Sequence, residues 1–149
     1  YAPESDLLYW AVRGHGAFKE VNGESRPISA IHHEHDQPDS LVVAISRRQK
    51  LENLTRRLNP AIHYELIPLG SSSLKSCLVA EGAADCYVRL GPTGEWDTAA
   101  AQCIVEAAGG RILSLALQPL SYNETESLEN PDFIVMGDPD LAWGKILTH

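Results

Sequence analysis

The sequence has 149 residues, of which 44% are hydrophobic and 21% are charged, and its formal net charge at pH 7 is −8. This length and composition are typical of a globular chain with one buried core, and they exclude an intrinsically disordered protein. Proteins that bind nucleic-acid polymers present a basic surface, so we do not expect a polymeric nucleic acid as partner. A small anionic ligand needs only a local cluster of donors.

The sequence also bears on membranes and on redox state. No apolar run approaches the ~20 residues of a membrane span, and no basic stretch leads into an apolar segment as in a signal peptide. The cysteines, Cys77, Cys86 and Cys103, do not form a close pair. They indicate reduced, buried thiols rather than a disulfide framework or a zinc site. We therefore expect a soluble, cytoplasmic protein without a membrane span.

The first part of the chain predicts an antiparallel hairpin. Residues 7–12 and 17–21 have the composition of strands, and residues 14–16 between them contain two glycines that suit a tight turn. The Asn-Gly pair at residues 22–23 indicates a second tight turn. We therefore expect a β-hairpin within residues 1–28.

A polar segment over residues 29–39 is expected to be a linker. It contains His32, His33 and His35, whose side chains could in principle bind a metal ion. Adjacent residues cannot easily converge on one ion, so we expect these histidines to be solvated.

From residue 40 onwards, segments that resemble strands and helices alternate. Such alternation predicts a layered α/β domain over residues 40–149, with a mainly parallel sheet flanked by helices. The run at residues 40–46 is continuously aliphatic, which favours a strand buried on both faces. The expected strands are 40–46, 63–68, 84–90, 111–115 and 133–136, and the expected helices are 47–58, 72–81, the segment between Asp97 and Gly109, and 138–147.

Asp97 stands at the junction between a glycine-containing loop and an alanine-rich helix. Ala99 and the residues after it are strong helix formers, and the pair Gly109-Gly110 suits the end of that helix. A carboxylate in this place is either an ordinary helix N-cap, favoured by the helix dipole, or a functional group. The local sequence allows both interpretations.

Residues 96–100, Trp-Asp-Thr-Ala-Ala, and residues 106–110, Glu-Ala-Ala-Gly-Gly, resemble the second signature of the inositol monophosphatase superfamily of magnesium-dependent phosphatases. Other segments are similar to its CysQ branch, the 3′(2′),5′-bisphosphate nucleotidases, and the resemblance covers almost the whole chain. Those segments are residues 70–75, 79–82, 87–89, 91–93, 119–122 and 128–131.

The resemblance implies a sugar-phosphatase-like fold and the hydrolysis of adenosine 3′,5′-bisphosphate to AMP and phosphate with Mg²⁺, a reaction of sulfur assimilation. In the superfamily most metal ligands come from a Glu-Glu pair and an Asp-Gly-Thr signature in the first half, and neither occurs here. Asp97 is then the one metal ligand and catalytic carboxylate of this chain. We therefore expect a C-terminal half, with a hairpin left from the N-terminal domain, that is inactive without its N-terminal half.

Ser71-Ser72-Ser73-Leu74-Lys75 is a candidate phosphate-binding segment. A helix start that follows a strand leaves several backbone N–H groups unpaired, and these attract anions. The local pattern alone also fits a serine N-cap with a solvated, mobile lysine. The resemblance implies that Ser72 and Lys75 contact the phosphate side of the nucleotide.

Arg89 ends a predicted strand, and ligands of α/β sheets bind at strand ends. Alone, it also fits a surface arginine paired with an acid. The inositol monophosphatases tend to carry a glutamate there, whereas a guanidinium suits a second phosphate.

Ser46-Arg47 matches the start of the Ser/Thr-Arg-Ser-His pattern of the bisphosphate nucleotidases, so Ser46 is a further candidate for substrate binding. Arg48 and Gln49 depart from that pattern.

Two other functions remain open from the sequence. One is an inositol or sugar phosphate phosphatase of the same fold, and the other is a non-catalytic nucleotide-binding fragment. A homodimer is one assembly compatible with the resemblance.

Overall fold

The computed structural model describes residues 1–148. Its first part is a three-stranded antiparallel sheet of β1 (Leu7–Val12), β2 (Gly16–Val21) and β3 (Glu24–Ile28). The predicted hairpin is therefore present, and a third strand follows its second turn. Asn22 and Gly23 form that turn with φ of 52° and 79°, values that asparagine and glycine tolerate best.

The second sheet has five strands, and four of them run in the same direction. The strands are β4 (Ser40–Ser46), β5 (His63–Leu69), β6 (Cys86–Arg89), β8 (Arg111–Ser114) and β10 (Phe133–Met136), and a separate two-stranded pair comprises β7 (Thr93–Gly94) and β9 (Glu129–Asn130). The order in the five-stranded sheet is β5-β4-β6-β10-β8, in which β4 pairs parallel with both neighbours and β10 pairs antiparallel with both. The sheet is thus mixed, because β10 lies antiparallel between β6 and β8, which run parallel to each other.

Helices cover both faces of this sheet. They are α1 (Leu51–Thr55), α2 (Ser72–Ala80), α3 (Ala99–Ala107) and α4 (Trp143–Ile146). None of the helices in residues 1–148 is long and apolar enough to traverse a bilayer.

Two helices are shorter than predicted. Residues 47–50 form a turn and an extended stretch instead of the first part of the helix predicted over 47–58. Of the helix predicted over 138–147, only Trp143–Ile146 is helical. Asp138 explains the second difference, because its Oδ1 accepts a hydrogen bond from Asp140 N and its carbonyl accepts one from Trp143 Nε1. Such local bonds compete with the helix.

The core lies on the two faces of the five-stranded sheet. Val43 and Val88 point to one face, which α1 and α4 cover, whereas Ala44 and Tyr87 point to the other, which α2 and α3 cover. The three-stranded sheet packs on the far side of α3 through residues such as Ala17, which is 1% exposed. These layers confirm the predicted α/β class.

The segment 29–39 is not a solvated linker throughout. His33 Nε2 donates to Asp85 Oδ1 at 2.7 Å, and His33 N donates to Asp138 Oδ2 at 2.7 Å. His32 Nδ1 lies 3.4 Å from Asp138 Oδ1, although its side chain is half exposed. The prediction of a solvated side chain was wrong for His33, because its partners are distant in the sequence, whereas His32 is exposed as expected. His35 is exposed, as expected.

The three cysteines are all free thiols. Cys77 and Cys86 are buried, and burial raises the pKa of Cys77 to about 12. Cys103 is exposed, so the prediction of a buried thiol was wrong there.

Candidate active site at the carboxyl ends of the parallel strands

Strands β4, β5 and β6 are parallel, so their carboxyl ends meet at one edge of the sheet. Ser46 is the last residue of β4 and lies opposite Leu69 of β5, while β6 ends at Arg89. Ser46, Gly70 and Arg89 consequently line one open cleft of about 740 Å³. Ligands of α/β sheets bind at this kind of edge, so the fold brings two predicted substrate residues, Ser46 and Arg89, to one place.

A tight turn after β4 forms one wall of the cleft. Gln49 N donates to Ser46 O at 3.0 Å, and Arg48 N donates to Ser46 Oγ at 3.3 Å. Arg47 and Arg48 occupy the middle of this turn, are exposed and line the cleft. Together with Lys50 and Arg89 they make the lining cationic, and no aspartate or glutamate lines it within the described chain. The cleft is therefore suited to an anion.

Two donors in the lining have no partner. Gln49 Nε2 and Arg89 Nε are both buried and make no hydrogen bond within residues 1–148. Arg89 uses Nη2 to donate to Pro92 O at 3.2 Å. The described chain holds no acid in an ion pair with Arg89, so the alternative of a surface arginine paired with an acid is wrong. Unpaired buried donors are uncommon in folded proteins.

Lys75 is buried, with 1% of its side chain exposed. Its Nζ donates to the carbonyl oxygens of Leu69 at 3.3 Å, Gly70 and Ser71 at 3.0 Å, and lies 4.9 Å from the centre of the Tyr87 ring. The interpretation as a mobile, solvated lysine was therefore wrong. Burial first, and then the nearby Arg89, lower the pKa of Lys75 to about 8. The ammonium group holds the chain between β5 and α2 in place.

Ser71, not Ser72, caps α2. Ser71 Oγ accepts a hydrogen bond from Leu74 N at 3.2 Å, whereas Ser72 Oγ shares one with the Tyr87 hydroxyl at 3.2 Å. Burial raises the pKa of Tyr87, which keeps its hydroxyl protonated. Tyr87 thus joins Ser72 and Lys75 beneath the cleft, and neither of these two predicted residues lines it.

Asp97 ends a short 3-10 turn, Glu95–Asp97, that precedes α3. Its Oδ2 accepts a hydrogen bond from Gly94 N at 3.0 Å, which uses one of its two carboxylate oxygens. Thr98, not Asp97, is the N-cap of α3, so the interpretation of Asp97 as a simple cap of this helix was wrong. Ser73 Oγ donates to Asp97 O at 3.4 Å, which places Asp97 beside the start of α2.

Asn130 positions the Asp97 loop, and we did not predict this role. Its buried Nδ2 donates to Gly94 O at 2.8 Å and approaches the hydroxyl oxygens of Thr93 and Thr98 at 3.2 Å and 3.1 Å. One amide thereby links both ends of the loop to β9. The resemblance at residues 128–131 was the signal that could have identified Asn130.

The described residues contain no group of three histidine, cysteine or acidic side chains that could hold a metal ion. Magnesium is bound through about six oxygen ligands in near-octahedral geometry. Among the described residues, Asp97 therefore does not have two further histidine, cysteine or acidic side chains beside it with which to hold an ion.

A family model described as "Inositol monophosphatase family" matches residues 1–138. The chain belongs to the inositol monophosphatase family. Two curated relatives are 3′(2′),5′-bisphosphate nucleotidases CysQ: that of Aggregatibacter actinomycetemcomitans is 40% identical over 98% of this chain and 54% of its own length. That of Escherichia coli K12 is 40% identical over 91% of this chain and 52% of its own length.

A solved structure of CysQ from Bacteroides thetaiotaomicron, a bacterial family member, has a TM-score of 0.75 and 36% identity to this chain. The match covers 92% of this chain and 56% of that protein. The chain thus spans about half the length of the family members that it matches. The predicted layered fold is confirmed by this likeness.

Proposed function

We propose that this chain is the C-terminal half of a 3′(2′),5′-bisphosphate nucleotidase, which hydrolyses adenosine 3′,5′-bisphosphate to AMP and phosphate. The observation that carries the proposal is the cationic cleft at the strand ends, which Arg47, Arg48, Lys50 and Arg89 line. A guanidinium suits a phosphate group, and an acid-free lining suits a ligand with more than one anionic group. The names of relatives at 40% identity support the same reaction.

In this proposal the chain binds and orients the nucleotide. Arg89 and Ser46 contact it from the cleft, and Ser72 lies beneath them against Tyr87. Lys75 acts as a positioning residue, because its ammonium group is bonded to three carbonyl oxygens of the cleft floor. Fixed positioning of this kind reduces the entropy that must be lost when the bound nucleotide reaches the transition state.

Asp97 is the carboxylate that we propose this chain contributes to magnesium binding. Its hydrogen bond from Gly94 N leaves one oxygen free of that contact. Because the described residues do not complete a magnesium site, the proposal places the other ligands in an N-terminal half that acts as partner.

The division of the chain into residues 1–28, 29–39 and 40–149 remains a prediction, as does a homodimer. The unpaired buried thiols favour a reducing compartment, so we propose the cytoplasm.

The experiment measures phosphate release by the full-length gene product that contains this sequence. Substrates are adenosine 3′,5′-bisphosphate and inositol 1-phosphate, each over a magnesium titration. We expect the nucleotide to have the higher kcat/KM. A preference for inositol 1-phosphate would identify an inositol phosphatase, and absence of hydrolysis of either substrate would identify a non-catalytic binding protein.

Asp97→Asn tests the metal role within the same assay. The variant keeps the shape of the side chain and removes its charge, so magnesium affinity and turnover should both fall. Asp140→Asn, at an exposed position, is the matched control and should leave both unchanged. An unaltered magnesium dependence in Asp97→Asn would show that Asp97 has only a structural role.

The 149-residue chain by itself should release no phosphate in the same assay.

A further inference from the structure

Tyr87 is a buried residue of β6 to which the proposed function assigns no role of its own. It is 0% exposed, and its ring packs edge to face on the ring of Phe133, with 5.9 Å between the two ring centres. Aromatic pairs prefer this geometry, so the packing holds the Tyr87 ring in a defined orientation. The Tyr87 hydroxyl is therefore fixed beneath the cleft, next to Ser72, and does not line the cleft itself.

The proton of this hydroxyl has one destination. Burial raises the pKa of Tyr87, so the hydroxyl keeps its proton, and buried donors are normally paired. Ser72 Oγ lies 3.2 Å away and is the acceptor within hydrogen-bonding distance in the described chain. The nearby Lys75 and Arg89 cannot serve, because ammonium and guanidinium groups only donate. Tyr87 thus donates, and Ser72 accepts.

The direction of this bond decides what Ser72 can offer to a ligand. A serine hydroxyl accepts through its lone pairs and donates through one proton. Because Oγ accepts from Tyr87, the Ser72 proton is free to bond outside the chain, and Ser72 is partly exposed. A phosphate group presents acceptor oxygens and needs donors of this kind. Successive hydrogen bonds also polarise one another, which strengthens a chain that runs from Tyr87 through Ser72 to phosphate.

The Tyr87 ring makes a separate contact with Lys75. The Lys75 Nζ lies 4.9 Å from the ring centre, within the range of a cation–π interaction. Its N–H groups are occupied by three carbonyl oxygens. The hydroxyl and the ring therefore act on different neighbours. Tyr87→Phe consequently keeps the contact with Lys75 and loses only the bond to Ser72.

We propose that Tyr87 is a positioning residue for phosphate binding, which donates a hydrogen bond to Ser72 and thereby directs the Ser72 proton towards the ligand. Tyr87 does not touch the ligand and acts through Ser72. This inference rests on the proposed function for the identity of the phosphate ester. It adds that part of the affinity for phosphate is set from the interior of the sheet.

The test is a double-mutant cycle on the full-length gene product. Tyr87→Phe removes the donor, Ser72→Ala removes the acceptor, and a third variant combines the two changes. Calorimetry in metal-free buffer with a chelator measures the binding of adenosine 3′,5′-bisphosphate and of inositol 1-phosphate without hydrolysis, and urea denaturation measures stability. Tyr64→Phe is the matched control, because Tyr64 packs on the opposite face of the same sheet and its hydroxyl donates to Asn59 O at 3.0 Å.

Tyr87→Phe should weaken binding of the bisphosphate about two- to tenfold, the effect of one neutral hydrogen bond. Ser72→Ala should weaken it at least as much. The combined variant should bind within about twofold of Ser72→Ala, because a residue that acts only through the Ser72 hydroxyl has no effect once that hydroxyl is gone. Tyr64→Phe should lose a similar amount of stability but bind within about twofold of the wild type.

Additive losses in the combined variant would overturn the inference, and so would wild-type affinity in a folded Tyr87→Phe variant. A loss of affinity in Tyr64→Phe equal to that in Tyr87→Phe would assign both losses to stability and likewise overturn it. The cycle uses whichever probe the wild type binds, and binding of neither contradicts the inference and the proposed function together. Coupled losses in a protein that hydrolyses neither substrate contradict the proposed function alone, whereas hydrolysis of the bisphosphate with additive losses contradicts the inference alone.

Discussion

The two ends of strand β6 differ in how their polar groups are paired. At the amino end, Asp85 Oδ2 accepts a hydrogen bond from Val42 N at 2.7 Å and Asp85 Oδ1 accepts one from His33 Nε2 at 2.7 Å. At the carboxyl end, Arg89 Nε is buried without a partner in the described chain. A buried group that is fully paired contributes to stability, whereas an unpaired buried group costs stability in the folded chain.

Asp138 belongs to the paired end. Burial alone would raise the pKa of its carboxyl group, but hydrogen bonds from His33 N and Asp140 N and the nearby histidines hold that pKa below its ordinary value. Asp138 and Asp85 thus anchor the segment that connects the two sheets. One end of the strand thus holds the fold together, and in the proposed function the other end binds the nucleotide.

Arg89→Glu should produce the largest effect on binding. The substitution removes a charge-assisted hydrogen bond, worth roughly 1.5–3 kcal/mol, and adds repulsion, so kcat/KM for adenosine 3′,5′-bisphosphate should fall by at least ten- to hundredfold. Hydrolysis of inositol 1-phosphate, which has one phosphate, should fall much less. The measurement is kcat/KM for both substrates with the full-length gene product. Equal losses would assign Arg89 a structural role and remove the main local support for the nucleotide.

Asp85→Ala should act on stability instead. It leaves Val42 N and His33 without their acceptor, which should lower the free energy of unfolding by about 2–3 kcal/mol. Urea denaturation of the chain measures this loss. Asp39→Ala, at an exposed position nearby, should change stability by no more than about 0.5 kcal/mol. If Asp85→Ala remained folded but lost nucleotide affinity, the amino end of β6 would also act in binding. That result would contradict the division of roles between the two ends of the strand.

Lys75 should give the smallest effect, visible as a dependence on pH. Burial and Arg89 lower its pKa to about 8, so it is charged at pH 7 and becomes neutral as the pH rises to 9. Phosphate groups are mostly doubly ionised over this range, because their second pKa is about 6. Affinity for the bisphosphate should therefore fall about two- to fivefold between pH 7 and pH 9.

Lys75→Met removes the titrating group and should flatten this profile. A pH dependence that persists unchanged in a folded Lys75→Met variant would show that another group titrates near the cleft.

The sequence was sufficient for features that depend on local chemistry. The hairpin followed from turn residues such as Asn22 and Gly23, and the buried strand β4 followed from its aliphatic run. Arg89 was a candidate because strand ends mark ligand sites in α/β folds, whereas Ser46 was a candidate because it matches the Ser/Thr-Arg-Ser-His pattern. The short helix Trp143–Ile146 was not predictable from helical spacing, because the bonds made by Asp138 decide where it begins.

Long-range pairing accounts for the other differences. His33 and Asp85 are 52 residues apart, and no local pattern reveals their contact. The burial of Lys75 depends on Tyr87 from another strand, so a lysine in the first turn of a helix looked solvated in the sequence. Asn130 likewise reaches the Asp97 loop from a distant strand.

A nuclear magnetic resonance titration of the chain with adenosine 3′,5′-bisphosphate tests the binding role of the carboxyl end of β6 most directly. It follows backbone amides together with the Arg89 Nε–H and Gln49 Nε2 signals. Saturable shifts should appear for those two side chains and for the turn at residues 46–50, while the amides of Val42, His33 and Asp140 remain unchanged. Shifts confined to the Asp85 and Asp138 end, with none at Arg89 or Gln49, would contradict the assignment of the cleft as the nucleotide site.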